Sequence, residues 1–152
     1  MRVLSEVQSQ RLRDNYHLVA RDILAPMADM MSVARATCDG DLDTFLILLA
    51  IASRTAGSPA IRELPLERVL SGEVNEYPNA YTNARSVAES TGIARETVRR
   101  KVARLVANGW VVRKGDDLGL TPHASRQLTP AREAIFDLAK RLHAVVERVG
   151  AG

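Results

Sequence analysis

The stretch "TGIARETVRRKVARLVANGW", residues 91–110, decides how this chain is read. It carries five basic side chains and one acidic one, and an apolar row runs through them. Val98, Val102 and Leu105 recur at spacings of four and three, so they share one face of a helix running from near Arg95 to Asn108. Stepping roughly 100° per residue sets Glu96, Arg100 and Ala103 opposite that face. Arg95 and Arg99 flank them on one edge, Thr97 and Arg104 on the other. Gly109 suits the position just past the helix end. One side of the helix is fit for burial, and the other concentrates charge.

The neighbouring residues give this helix a setting. Upstream, Asn83 is placed to cap a short helix over 84–90, which stops at Gly92. Ala88 is small where two helices would cross, and Gly92 can take the positive φ of a sharp turn. Val87, Ile93 and Val98 are the expected shared core. Downstream, "WVVR" (110–113) reads as a strand, "KGDD" as a turn and "LGLT" (118–121) as a return strand. "PHASRQL" reads as a helical turn. Short helix, glycine turn, longer helix and hairpin together predict a winged helix-turn-helix. In such a fold the second helix enters the DNA major groove, with its N-terminal residues nearest the bases.

Charge follows the same outline. Between Thr82 and Lys114 stand Arg85, Arg95, Arg99, Arg100, Lys101, Arg104, Arg113 and Lys114, opposed only by Glu89 and Glu96. Eight against two gives this segment +6, which leaves −3 for the rest of a chain whose total is +3. A basic patch in an otherwise mildly acidic protein fits a polyanion partner. A solvated charged face is the bland alternative.

"TGIARETVRRKVARLVANGWV" resembles the helix-turn-helix of bacterial winged-helix transcription regulators, and "RETVRR" is similar to the recognition helix of the Crp/Fnr family. The resemblance implies base contacts from Arg95, Glu96 and Arg100 and a backbone contact from Thr97. Arginine can bond guanine bidentately, and glutamate can accept from cytosine N4. Charge and position add Asn83, Arg85, Arg99, Arg104, Arg113 and Lys114 to the expected DNA-facing set. Ala94 stands where that family usually has a serine, and alanine can neither cap a helix nor bond a phosphate.

The order of elements resembles the MarR family over residues 5–149, with recognisable motifs over 41–128. "LGLTPHASRQL" is similar to that family's "LTPxGxxL" junction. The resemblance implies that the N- and C-terminal helices form a homodimer interface. Two features differ from that family. The wing tip "KGDD" has no arginine after its acids, and the insert at 57–81 is longer than the usual connection.

Three regions are expected. Residues 1–40 form a helical dimerisation segment. Leu12, Tyr16, Val19 and Ile23 share one face over 5–24, Pro26 interrupts, and a further helical stretch follows through Met27, Met30 and Met31. Residues 41–128 form the winged domain. Asp41 or Asp43 caps a helix to about Ala56, with Phe45, Leu48, Leu49 and Ala52 inward. In its insert, "LPLERVL" suits a short helix with Pro65 in the first turn. "SGEVNEYPNAY" reads as loop, pinned by Tyr77 and Tyr81. Residues 129–152 form the second dimerisation helix, capped by Thr129 with Pro130 at its first position. Its seam is Ala131, Ile135, Leu138, Leu142, Val145 and Val149, a heptad spacing.

Several classes are disfavoured. At 152 residues the chain suits one domain, or a small domain with helical extensions. The longest uncharged apolar run, "FLILLAIA" (45–52), is too short to span a bilayer. The first fourteen residues lack the apolar stretch of a signal peptide. Cys38 is the lone cysteine, so no intrachain disulfide can form and a reducing cytoplasm is expected. Its thiol reads either as packing or as a redox sensor. His17, His123 and His143 lie far apart, and no metal-ligand spacing, P-loop, nucleophile motif or paired-carboxylate signature is present. No enzyme, metal or cofactor is therefore expected. Met27, Met30 and Met31 could line an effector pocket or fill a core.

The expected function is a cytoplasmic bacterial transcription regulator that binds double-stranded DNA as a homodimer on an inverted repeat. A small-molecule effector is a further possible partner, and no membrane is expected. A replication or partition protein, and a winged helix used for protein contact, remain as alternatives.

Overall fold

The computed structural model describes residues 5–71 and 81–150. In chain order the elements begin with helices α1 (Glu6–Asp14), α2 (Tyr16–Thr37), α3 (Leu42–Ala56), α4 (Pro59–Arg62) and α5 (Leu66–Ser71). Strand β1 (Thr82–Asn83) and helices α6 (Ala84–Thr91) and α7 (Arg95–Ala107) follow. Strands β2 (Val111–Lys114) and β3 (Asp117–Leu120) precede helices α8 (Pro122–Gln127) and α9 (Thr129–Gly150). The protein is mainly helical with one small antiparallel sheet. It divides into two compact units. One joins the chain up to Ala34 with the chain from Pro130, and the other is Arg35–Thr129.

The terminal unit holds α1, most of α2 and α9. Ser5 and Gln8 form a reciprocal capping box at the start of α1. The expected break at Pro26 does not occur. Pro26 lies buried inside α2, where its missing N–H removes a single ladder bond. The chain breaks instead at Asn15, whose backbone N–H and side-chain amide both donate to the Arg11 carbonyl, at 3.1 and 2.8 Å. Helix α8 ends at Gln127 with Leu128 as its cap, and α9 starts at Thr129, one residue earlier than expected.

Helix α9 meets the first two helices through side-chain bridges. Arg11 donates to the Gly150 carbonyl at 3.1 Å, Arg141 pairs with Asp29 at 3.4 Å, and Arg148 pairs with Asp22. Of the expected apolar seam, Val19, Ala131 and Val145 are buried. Leu12, Ile23, Ile135, Leu138, Leu142 and Val149 are half-buried, and Tyr16 is exposed. Of the three methionines, Met30 is half-buried and the other two do not fill a core. Met27 and Met31 are exposed, and with Leu24 they form an apolar stripe at spacings of three and four. Helical geometry turns that stripe away from Pro26.

In the Arg35–Thr129 unit, Asp41 rather than Asp43 caps α3. Its carboxylate accepts from the Thr44 backbone N–H at 3.2 Å and from the Thr44 hydroxyl at 2.7 Å. Phe45, Ile47, Leu48, Ile51 and Thr55 are buried, whereas Leu49 is exposed and Ala52 half-buried. The expected inward face is right at Phe45 and Leu48 and wrong at Leu49, because an unbroken apolar run sets no helical phase. Val87 of α6 and Val98, Val102 and Leu105 of α7 join this core. Gly92, at φ 72, turns α6 into α7.

Strand β3 is central, with β1 and β2 on either side and all pairs antiparallel. Each hairpin strand begins and ends one residue away from its expected bounds. Lys114 pairs with Asp117, so Gly115 and Asp116 alone make the turn, and Gly115 takes φ 60. Strand β1 was not foreseen, since two residues carry no periodicity. The Tyr81 ring lies over Gly119, where a Cβ would stand 3.0 Å from it, so Tyr81 does anchor the chain entering β1. Helix α4 was not foreseen either, and α5 begins just after Pro65. Tyr77 and nearly all of the loop over 71–81 lie outside the described residues. Among the described residues no helix is long and apolar enough to cross a membrane.

Candidate nucleic-acid interface

Helix α7 carries the site because its two faces have different tasks. Val98, Val102 and Leu105 hold the inner face in the core. That fixes the outer face, where Arg95, Glu96, Arg99, Arg100 and Arg104 are exposed and Thr97 is half-buried. Ala94 precedes the helix and makes no side-chain cap bond. Glu96 places a negative charge in the first turn, which suits the helix dipole.

The eight basic residues are not electrostatically equivalent. Arg85 pairs with Glu89 at 2.8 Å and Arg99 with Glu96 at 3.2 Å. Lys101 is mostly buried and pairs with Asp41. Lys114 lies 5.4 Å from the centre of the Tyr81 ring. Arg95, Arg100, Arg104 and Arg113 make no side-chain ion pair or hydrogen bond among the described residues. These four guanidinium groups are the ones ready for an outside anion. Arg99 occupies one oxygen of the Glu96 carboxylate and leaves the other able to accept.

Asn83 has a job within the fold. It belongs to β1, and its side-chain oxygen accepts from the Ser86 N–H at 2.9 Å to cap α6. Arg113 and Lys114 sit on β2, next to the two-residue turn. Asp116 and Asp117 are exposed at the same tip. The expected DNA-facing residues thus belong to α6, α7 and the edge strands of one unit. The expected dimer residues all belong to the other.

The Lys101–Asp41 pair was not legible in the sequence, since the two residues stand sixty positions apart. Only the capping role of Asp41 had a local signal. Burial raises the Asp41 pKa, but hydrogen bonds from Lys101 and Thr44 outweigh it and hold the carboxyl at about 2. The pair ties the start of α3 to the middle of α7, which limits how far α7 can shift. Cys38 is buried, and burial first, then the Asp41 and Asp39 carboxylates, push its thiol up to about 11. Its burial suits the packing reading, and a raised pKa disfavours the thiolate. Among the described residues no group of three His, Cys, Asp or Glu side chains could hold a metal ion. No family model matches this sequence, and no curated protein or solved structure matches it either.

Proposed function

We propose that the protein is a sequence-reading, double-stranded DNA-binding transcription regulator of winged helix-turn-helix form, acting as a homodimer. One observation carries the reading. Arg95 and Arg100 are exposed and unpaired among the described residues, at the start of a helix whose other face closes the core. Supporting it is the element order α3, β1, α6, α7, β2, β3, with β3 central in the sheet. Helix α7 then acts as the recognition helix, and the β2–β3 hairpin as a short wing.

The terminal unit supports the homodimer. Leu18, Leu24, Met27, Met31 and Phe136 stay exposed there, and exposed large apolar side chains on one unit suit a protein-protein contact. A C2 pair covers it and sets two recognition helices about 34 Å apart, so the operator is an inverted repeat. Light scattering is expected to give twice the chain mass for the wild type and a monomer for Leu24→Asp. A wild type that is monomeric at micromolar concentration and still grips a single half-site removes the dimer.

Selection from random DNA tests the base reading. Arg100→Ala is expected to cost about 1–3 kcal/mol on the selected site and to relax preference at one position. If the double change Arg95→Ala and Arg100→Ala returns the wild-type motif, these side chains do not read bases. The pairing of Arg85, Arg99 and Lys101 with acids favours a second reading, a winged helix used for protein contact. Absence of any salt-sensitive DNA binding selects that one.

A further inference from the structure

A cavity of about 140 Å3 lies within the Arg35–Thr129 unit. The turn from α2 to α3 closes one side with Asp39 and Asp41, and α7 closes the other with Lys101, Arg104 and Leu105. Trp110 completes the wall. Two of the four charges are already used, because Asp41 and Lys101 pair with each other. The other two are not. Asp39 and Arg104 have opposite charges and line the same cavity, yet neither makes a side-chain ion pair or hydrogen bond among the described residues. Asp39 is also held at φ 53, so its side chain leaves a fixed backbone position.

We propose that this cavity binds a small zwitterion of the amino-acid class. Its carboxylate meets the Arg104 guanidinium, a bidentate match, and its ammonium meets the Asp39 carboxylate. Leu105 and Trp110 take a short apolar side chain. Asp39 and Arg104 are both exposed, so water solvates whichever charge a singly charged ligand leaves, and selectivity comes from the second ion pair that only a zwitterion forms. The volume sets the size limit, well below the roughly 300–1,000 Å3 of sites for drug-sized molecules.

The second half of the inference rests on the DNA-binding reading. Arg104 also belongs to the exposed cationic face of α7. A bound carboxylate neutralises it, so the ligand and a DNA phosphate compete for one guanidinium. Binding of the zwitterion then weakens binding of DNA, and by linkage DNA weakens binding of the zwitterion.

Trp110 is the chain's single tryptophan, so its fluorescence reports on the cavity. The full chain is titrated with L-alanine, L-valine and L-leucine, and with propionate and propylamine as single-charge controls, by fluorescence and by calorimetry. At least one amino acid is expected to saturate, about tenfold or more tighter than either control. Asp39→Asn and Arg104→Gln are each expected to weaken it about tenfold or more. Asparagine tolerates the left-handed backbone at position 39, so that variant keeps the turn. The site is overturned if neither method detects binding of any of the three up to about 10 mM. It is equally overturned if the controls bind as well, or if Asp39→Asn binds like wild type. DNA retention is then measured with and without the bound amino acid. A ligand that binds and leaves DNA affinity unchanged overturns the regulatory half alone. A chain that binds the amino acid and never binds DNA overturns the proposed function and leaves the site standing.

Discussion

The two units draw on similar aliphatic residues and use them differently. In the Arg35–Thr129 unit, three longer helices and a sheet surround a shared interior, and Ile47, Leu48, Ile51, Val87, Val98, Val102 and Leu118 are fully buried. In the terminal unit, long helices meet along a narrow line. Val19, Pro26, Ala34, Ala131 and Val145 are buried there, while Val7, Tyr16, Leu18, Leu24, Met27, Met31 and Phe136 are exposed. Layers enclose a volume, and a single helix-on-helix contact does not. The bridges Arg141–Asp29 and Arg148–Asp22 are exposed, so they orient the helices more than they stabilise them. Exposed leucines also remain on α3, at Leu42, Leu46 and Leu49, but the Arg35–Thr129 unit encloses the larger set of fully buried side chains.

The largest expected effect tests that contrast directly. Ile51→Ala removes a fully buried side chain and is expected to cost about 2–5 kcal/mol in urea unfolding. Leu24→Ala, at an exposed position, is expected to change stability by less than about 0.5 kcal/mol at concentrations where the chain is monomeric. Equal losses in the two variants under those conditions would mean that the stripe of α2 is part of a closed core, and the contrast would fail.

The same contrast explains what could be read from the sequence. Where polar and apolar residues alternate with helical period, as in α7, the inward face was legible to the residue. Val98, Val102 and Leu105 are buried and Arg95, Glu96 and Arg100 exposed. Local chemistry was equally legible, in the Asn83 cap, the Gly92 turn and the Thr129 helix start to within one residue. Where the run is apolar throughout, as in α3, the face was legible only in part, at Phe45 and Leu48 but not at Leu49, because any phase buries leucine. Pairings over long separations left no local trace, and these include β1 with β3, Tyr81 with Gly119 and Lys101 with Asp41. The last of these changes the candidate site. It removes one of the eight cations from the exposed face and turns it into a strut.

That strut gives an effect of intermediate size. The Asp41 carboxyl is held at about 2 in the folded protein, against about 3.9 in an unfolded chain. A depressed pKa stabilises the fold above the unfolded value and ceases to do so as pH falls through the folded one. Asp41→Asn keeps a capping oxygen and loses the charge. It is expected to be less stable than wild type by about 1 kcal/mol at pH 6, given that the carboxylate is a third exposed. The two urea midpoints should approach each other between about pH 4 and pH 2. A gap that stays constant over that range would mean that packing around position 41, and not its charge, makes the difference.

The smallest effect sits at the tip of the hairpin and separates the two parts of the site within one unit. Helix α7 offers Arg95, Arg100 and Arg104, unpaired among the described residues, whereas the turn offers Gly115 and then the exposed carboxylates of Asp116 and Asp117. A phosphate near this tip meets Arg113 on β2 and is repelled three or four residues later. Asp116→Arg reverses that repulsion without touching the core, and the turn tolerates it because the positive φ falls on Gly115 rather than on residue 116. In the DNA-binding reading, non-specific affinity rises. The plot of log affinity against log salt steepens by about 0.9, the contribution of one added phosphate contact. Preference among sequences stays the same, because phosphate contacts carry no base information. A filter-binding series across salt concentrations on two unrelated duplexes measures both quantities. An unchanged slope on both would mean that the hairpin stays clear of the backbone, and that α7 meets DNA without a wing.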